Sequence, residues 1–171
     1  MLILSAVGAD RPGMAHAVAQ ILFDAGCNIE DTTMTRLSGQ FAMILAVESD
    51  NLTAQELETR LSPLRHGLGL QVHVASASDV PDVSGEAPRY ILTAYGPEKT
   101  GLLARLTGVL AGKNCNVTDV QTRVASGGSV YVMILELELP AGLDAEELED
   151  DLRLHLSDLQ VSLRALEEDT L

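Results

Sequence analysis

Aromatic residues, cysteine and positive charge are all scarce in this sequence. Only 3% of its 171 residues are aromatic and none is tryptophan, so a core must be built from aliphatic side chains and methionine. The two cysteines, Cys27 and Cys115, are too few for a disulfide scaffold and lack the paired spacing of a zinc site. We therefore expect a cytoplasmic protein in a reducing compartment, with no metal and no cofactor.

Basic residues are outnumbered by acidic ones. The chain has 11 Lys and Arg against 25 Asp and Glu, which gives a formal net charge of −14. Such a surface repels the phosphate backbone of nucleic acids and the anionic surface of membranes. The N-terminus has no basic region like that of a signal peptide, and no apolar stretch is long enough to span a bilayer. We expect no direct nucleic-acid partner and no membrane partner.

Recognisable catalytic patterns are also absent from the sequence. No nucleophile elbow, phosphate-binding loop or dinucleotide-binding loop occurs. The four histidines, His16, His66, His73 and His155, are not paired at helical spacing and do not cluster with cysteine. The sequence therefore predicts surface or boundary histidines, no catalytic residues, and a protein that is not an enzyme.

What the sequence does contain is an internal repeat. The stretch ILSAVGADRPGM, which starts at Ile3, aligns with ILTAYGPEKTGL, which starts at Ile91. At the same offset CNIED, from Cys27, aligns with CNVTD, from Cys115. FAMIL then aligns with YVMIL, and NLTAQEL with GLDAEEL, after a small slip where a hairpin turn can absorb an extra residue. This many dispersed matches predict two similar domains.

A run rich in Ser, Asp, Pro and Gly separates the two copies and is typical of a linker. We predict a first domain at residues 1–77, a linker at residues 78–87 and a second domain at residues 88–171. Domains of this size bury a limited core alone. We therefore expect them to pack on each other or on a second chain, and we expect a homodimer.

Each copy alternates between strand and helix patterns. In the first copy we predict an apolar strand, an amphipathic helix, a polar strand suited to a sheet edge, an apolar strand suited to a sheet centre, a capped helix and a last strand. Thr53 and Glu56 form a capping box at the second helix, and Asp144 and Glu147 form the equivalent cap in the second copy. The predicted ranges are 2–7, about 12–25, 27–37, 41–47, from 53 onward, and 68–75.

This order, β-α-β-β-α-β, is that of the split βαβ plan. The predicted fold class is therefore α+β, with two tandem ferredoxin-like βαββαβ domains. Each domain is expected to be an antiparallel four-stranded sheet with two helices on one face. The opposite face needs cover, which is a second reason to expect pairing.

The loop after the first strand has the same pattern in both copies, Gly-x-acid-base-x-Gly. It leads into a helix N-terminus, whose free N–H groups favour an anion such as a carboxylate. Gly13 and Gly101 allow a ligand to approach the backbone, while Asp10 and Glu98 are suited to an ammonium group. These groups together complement a zwitterion. The alternative is that the glycines only serve the turn and the acid only caps the helix.

Asn28 and Asn116 are the other repeated polar pair. Each follows a cysteine at the start of the polar strand. An asparagine side chain both donates and accepts hydrogen bonds, which suits the two ends of an amino acid. The alternative is a local turn in which the side chain bonds to its own backbone.

These residues carry a family resemblance. GADRPGM with AGCNIEDTTMTRLSGQFAMIL resembles an ACT domain, and GPEKTGLLARLTGVLAGKNCNVTDVQTR resembles a second one. The resemblance implies domains that pair side by side or face to face. It also implies an amino-acid site at that interface, formed by the first β–α loop and by the start of the second strand of the paired domain. The ligand-binding residues that it implies are Asp10, Arg11, Pro12, Gly13, Met14, Asn28 and Ile29 in the first copy, and Glu98, Lys99, Thr100, Gly101, Leu102, Asn116 and Val117 in the second.

The second loop departs from the pattern, because Thr100 stands where the first loop has Pro12. We therefore expect the first copy to be the better binding site. The resemblance also implies a transcriptional regulator of glycine cleavage that senses a small amino acid, with glycine as the first candidate. Such a regulator acts through a partner regulatory protein. Ligand binding would favour one arrangement of the paired domains and change the population available to the partner.

Two alternatives to amino-acid sensing stay open. The chain could be a ligand-independent ACT assembly module, in which the loops are only turns. It could also be a separate regulatory subunit of an amino-acid metabolic enzyme.

Overall fold

The computed structural model describes residues 1–77 and 87–166. The chain divides into two compact units, Met1–Val83 and Ser84–Leu171. Residues 78–86 of the predicted linker lie outside the described residues, so the proposed domain boundaries stay predictions.

Each unit has the predicted order of strands and helices. The first unit pairs its strands in the order β2-β3-β1-β4 and the second in the order β6-β7-β5-β8, with every pair antiparallel. These sheets confirm the two tandem ferredoxin-like domains. The elements of the first unit are β1 (Leu2–Ala9), α1 (Met14–Asp24), β2 (Asn28–Leu37), β3 (Gln40–Glu48), α2 (Ala54–Leu61), α3 (Pro63–Gly67) and β4 (Gln71–Ser76). Those of the second are β5 (Arg89–Pro97), α4 (Leu102–Gly112), β6 (Asn116–Ala125), a 3₁₀ turn (Ser126–Gly128), β7 (Val130–Glu138), α5 (Ala145–His155) and β8 (Gln160–Ala165).

The polar strand β2 lies at the sheet edge and every one of its residues is exposed, whereas the apolar strand β3 lies inside the sheet. Both positions follow from composition. A Thr-rich, charged strand tolerates water on both faces, while β3 buries alternate side chains under the helices. The prediction of an edge strand and a central strand is therefore confirmed.

The core of the first unit lies between one face of the sheet and the helices. Leu4 and Ala6 of β1 pack with Val18 and Leu22 of α1, and all four are fully buried. The opposite face of the sheet is open in each unit. Ile44 is 55% exposed there. Val7 in the first unit and Tyr95 and Ile134 in the second are also exposed.

Capping residues and turn residues in the sequence determine where several helices and strands begin and end. The Thr53–Glu56 capping box forms as predicted, with Glu56 N donating to Thr53 Oγ1 over 3.3 Å and Thr53 N donating to Glu56 Oε2 over 2.9 Å. Asp144 caps α5 through bonds from the backbone N–H groups of Glu146 and Glu147. The slip between the two repeats falls in the β2–β3 and β6–β7 hairpins, where residues have positive φ angles.

The main differences from the prediction are two displaced element starts and one additional helix. Helix α1 begins at Met14 and not near Pro12, because Gly13 takes a left-handed conformation with φ of 90°. Strand β4 begins at Gln71 and not at Leu68, since Gly69 also has a positive φ. The short helix α3, which begins at Pro63, was not predicted.

Candidate functional site

The first loop runs from Asp10 to Gly13 and joins β1 to α1. The Asp10 backbone N–H donates to Gly39 O over 2.9 Å, which ties the loop to the β2–β3 hairpin. Gly13 is the N-cap residue of α1 and has no side chain to cap the helix. The alternative in which Asp10 caps α1 is therefore wrong. The N-terminus of α1 is left without a side-chain cap, as an anion site requires.

The Asp10 carboxylate has a different partner. Arg36, near the end of β2, donates from Nη1 to Asp10 Oδ2 over 3.2 Å. Asp10 is therefore already neutralised by a cation, which weakens its suitability for a ligand ammonium group. The neighbouring Arg11 guanidinium has no hydrogen-bond or ion-pair partner within residues 1–77 and 87–166.

The second loop runs from Glu98 to Gly101 and joins β5 to α4. Gly101 caps α4 with φ of 86°, and Glu98 N donates to Ser129 O over 3.2 Å, so the backbone repeats the first loop. The charged side chains do not repeat it. Lys99 Nζ lies 3.5 Å from Asp158 Oδ2, whereas the Glu98 carboxylate has no partner in the described part of the chain.

Asp158 precedes β8 and is held by a second cation. Arg105 of α4 donates from Nη1 and Nη2 to the two carboxylate oxygens, each over 3.0 Å. The Arg105 hydrogen bonds are the main cause that lowers the pKa of Asp158 to about 2, and the charges of Arg105 and Lys99 add to the effect. Asp158 is thus ionised throughout the physiological range.

The first glycine of each motif has a packing role. A Cβ atom on Gly8 would lie 2.9 Å from Gly69 O, and one on Gly96 would lie 2.6 Å from Asp158 O. Both glycines are therefore required by the close approach of the chain that leads into the last strand. Gly13 and Gly101 differ, because a Cβ there would meet nothing within 4 Å. Only this second pair leaves open space for a ligand.

Asn28 and Asn116 begin β2 and β6 and are exposed. Asn28 Nδ2 donates to Glu30 Oε1, and Asn116 Nδ2 donates to Glu138 Oε2 over 2.8 Å. Each asparagine therefore sits beside a carboxylate. The side-chain carbonyl oxygen of each remains available as an acceptor.

Within one unit the loop and the asparagine lie at opposite ends of the sheet. Ala9 pairs with Gln40, and Asn28 pairs with Glu48, at the two ends of β3. Eight residues of strand separate the two pairs, or about 26 Å at 3.3 Å per residue. The second unit has the same arrangement. The structure therefore does not bring Asp10–Met14 together with Asn28 and Ile29 of the same unit, nor Glu98–Leu102 with Asn116 and Val117.

Three charged residues at the loops were not predicted from the sequence: Arg36, Arg105 and Asp158. The signal for the last two was present in the repeat. LGLQV, from Leu68, aligns with SDLQV, from Ser157, so Asp158 stands where the first copy has a glycine. Asp158 and Arg105 are both found only in the second copy, which indicates that they form a pair even though 53 residues separate them.

The histidines and cysteines do not form a further candidate site within the described residues. All four histidines are exposed, as predicted. Both cysteines are free thiols, and burial raises the pKa of the Cys115 thiol, which makes it less reactive. Within the described residues there is no group of three potential metal ligands, and no helix is long and apolar enough to cross a membrane. An open groove beside α4 has Arg105 in its lining, and another lies beside α2.

The fold and the two loops define a class of protein: a chain of two βαββαβ domains, each with a charged loop at the N-terminus of its first helix. A family model described as the ACT domain matches residues 1–75 and again residues 89–165. The chain therefore belongs to the ACT domain family and is a tandem ACT protein.

Related proteins agree with this assignment. In sequence the chain is similar to the glycine cleavage system transcriptional repressor of Escherichia coli (strain K12), with 23% identity over 154 residues that cover 86% of this chain and 80% of that protein. In structure it is similar to an unknown protein from Galdieria sulphuraria, with a TM-score of 0.80, 25% identity, and coverage of 97% and 98% of the two chains.

A crystal structure provisionally named as a glycine cleavage system transcriptional repressor matches with a TM-score of 0.73, 20% identity and coverage of 98% and 97% of the two chains. This likeness shows the fold. The family assignment and the sequence match support a regulatory role for the chain.

Proposed function

We propose that this protein is a cytoplasmic, non-enzymatic regulator that binds a small amino acid at its ACT domains and controls glycine cleavage genes through a partner protein. The observation that carries the proposal is the repeated loop at a helix N-terminus, where Arg11 of the first copy has no side-chain partner among the described residues. Glycine is the first ligand to test, because no side chain would need to be accommodated.

The ligand carboxylate is assigned to the first loop. Arg11 supplies a guanidinium that no described residue pairs with, and the amides at the start of α1 supply the positive end of the helix dipole. Gly13 adds no side chain, so a ligand can reach these amides. Charge-assisted hydrogen bonds of this kind are among the stronger contacts that a small ligand can make.

The ligand ammonium is assigned to the start of β2 in a paired domain. The Asn28 carbonyl oxygen and the Glu30 carboxylate lie together there and can both accept hydrogen bonds. Asp10, which the sequence favoured for this role, is already paired with Arg36. Because the loop and Asn28 of one domain lie at opposite ends of the sheet, we assign the two ends of the ligand to two different domains.

Regulation follows from a site that two domains share. A ligand that bridges two domains favours the paired arrangement over others, and this shift in population changes the surface offered to a partner. A protein partner is favoured over DNA because the net charge of −14 opposes the approach of nucleic acid. The E. coli relative is a transcriptional repressor by name, which supports a regulatory target of this kind.

Isothermal titration calorimetry of the full chain with glycine, serine, alanine and valine tests the proposal. We expect saturable binding of at least one of them. Arg11→Ala should weaken that binding about tenfold or more, because a hydrogen bond to a charged group contributes about 1.5–3 kcal/mol. Arg65→Ala, an exposed arginine of α3 in the same unit, is the matched control and should leave the affinity unchanged. No binding of any amino acid to the folded chain would refute the proposal.

A ligand-independent assembly module is the second candidate. The exposure of Val7 and Ile44 on the open sheet face favours it, since exposed apolar side chains on one face mark an association surface. The two functions differ in one result. A partner protein that binds Arg11→Ala as well as it binds the wild type, with no effect of amino acids, would support the assembly module alone.

A further inference from the structure

The two loops differ in which of their charged side chains is already paired. In the first loop the acid, Asp10, is bound by Arg36, while the base, Arg11, has no partner in the described ranges. In the second loop the base, Lys99, is bound by Asp158, while the acid, Glu98, has none there. The same motif therefore presents a free cation in one copy and a free anion in the other.

Asp158 is fixed in place beside the second loop. Both of its carboxylate oxygens accept bonds from Arg105, each over 3.0 Å, and Arg105 Nη2 also donates to His155 O over 3.3 Å. The backbone oxygen of Asp158 faces Gly96 so closely that a Cβ on the glycine would lie 2.6 Å away. The carboxylate is thus anchored by two side chains and by the packing of its own backbone.

The first copy lacks this arrangement. Gly69 stands at the position of Asp158, as the matching contacts of Gly8 and Gly96 show. Ala17 stands at the position of Arg105 in the repeat. The first copy therefore has neither the carboxylate that would pair with Arg11 nor the guanidinium that would hold that carboxylate.

The pairings give the two loops different charge. The charged groups at the first loop are two cations and one anion: Arg11, Arg36 and Asp10. Those at the second loop are two cations and two anions: Lys99, Arg105, Glu98 and Asp158. A ligand carboxylate meets a free guanidinium at the first loop. At the second loop it meets one fixed carboxylate and one free carboxylate, and like charges at close range oppose binding.

We propose that Asp158 closes the second loop to carboxylate ligands, so that each chain binds one amino acid, at the first loop. The inference rests on the proposed function and goes beyond it by assigning the stoichiometry and the residue that sets it. Asp158 is a positioning residue, because it acts by pairing with Lys99 and by the repulsion of its negative charge, and not as a contact that binds the ligand. The second loop then joins β5 to α4 without binding an amino acid.

Two measurements on the full chain test this inference, with glycine, serine, alanine and valine as the probes. In calorimetry the wild type should bind one molecule per chain. In NMR titration the Gly13 amide should shift while the Gly101 amide stays in place. The NMR result does not depend on any variant being folded.

Asp158→Asn removes the charge and keeps the size of the side chain, and it should raise the stoichiometry from one to two per chain. Asp150→Asn is the matched control, since Asp150 is an exposed carboxylate on α5 that pairs with Arg153, and it should leave the stoichiometry at one.

Each outcome separates this inference from the proposed function. Two equal sites per wild-type chain, with Gly13 and Gly101 both shifting, would overturn the inference and leave the proposed function intact. A stoichiometry that stays at one in folded Asp158→Asn would overturn the role of Asp158. If no amino acid binds the wild type, the proposed function fails, and the inference fails with it.

Discussion

The glycine residues of the repeated loop have two different roles. Gly8 and Gly96 are required by packing, since a side chain at either position would collide with the turn before the last strand. Gly13 and Gly101 are required by their left-handed backbone conformation and leave open space around them. The repetition of a glycine in both copies therefore does not by itself identify a binding residue, because two of the four glycines are explained by packing.

The packing role of Gly8 gives a stability prediction. Gly8→Ala should lower the free energy of unfolding of the first unit by about 1–3 kcal/mol, because the added methyl group overpacks against Gly69 O. Urea denaturation followed by circular dichroism measures the change. Gly67→Ala is the control, since a Cβ there meets nothing within 4 Å, and it should be neutral or slightly stabilising. Equal loss in both variants would contradict the packing role.

The pairing of Asp158 gives a prediction about pH. Its pKa of about 2 lies below the ordinary 3.8, so its stabilising contribution is complete above about pH 4 and is lost as the pH falls through 2. Carboxyl ¹³C NMR should show Asp158 titrating near pH 2 in the wild type. Arg105→Gln should return the midpoint towards 3.8, because the Arg105 hydrogen bonds are the largest cause of the shift. A wild-type midpoint near 3.8 would count against the network.

At the scale of helices and strands, most of the fold could be predicted from the sequence. The continuous apolar run of β3 and the charged, Thr-rich composition of β2 decide their places in the sheet. The start of α1 was misplaced because Pro12 is compatible with a first helical turn, while Gly13 adopts a left-handed conformation that ends any turn before it. Composition alone does not distinguish these two starts.

The capping box at α2 gives a prediction at this scale. Thr53→Ala should lower the free energy of unfolding of the first unit by about 1 kcal/mol, because it removes the hydroxyl that accepts from the Glu56 backbone N–H and donates to Glu56 Oε2. Amide hydrogen exchange of α2 measures the loss. Thr59→Ala changes an exposed threonine in the same helix and should have a smaller effect, since Thr59 only bonds the backbone one turn earlier. The reverse order of effects would show that the cap is unimportant.

At the scale of the whole molecule, the sequence repeat identified both loops, but it did not reveal that their charged side chains are paired differently. The sequence repeat identified the acid, the base and the second glycine in both copies. It did not show which charges are paired, because Arg36 lies 26 residues from Asp10, and Arg105 lies 53 residues from Asp158. Such pairings depend on how the sheet brings distant segments together. The same is true of the separation between the loop and Asn28.

The open sheet face gives a prediction about association. We expect the chain to form a dimer in sedimentation equilibrium. Ile44→Lys places a charge on the exposed apolar face of the first unit and should weaken association about tenfold or more, since each 1.4 kcal/mol of lost interaction is tenfold. Leu154→Lys, on the outer side of α5 and 76% exposed, should leave it unchanged. A wild-type chain that stays monomeric would contradict the expected homodimer.

The most direct test of an amino-acid site built from two paired domains is a single NMR titration. The ¹⁵N-labelled full chain is titrated with glycine, serine, alanine and valine, and the Gly13 amide and the Asn28 side-chain amide are followed together. These groups lie about 26 Å apart in one domain, by the strand rise between the residue pairs at the two ends of β3, so one small ligand cannot touch both without a second domain. We predict that both signals shift with the same dissociation constant. Absence of a shift at either group, for every amino acid tested, would contradict it.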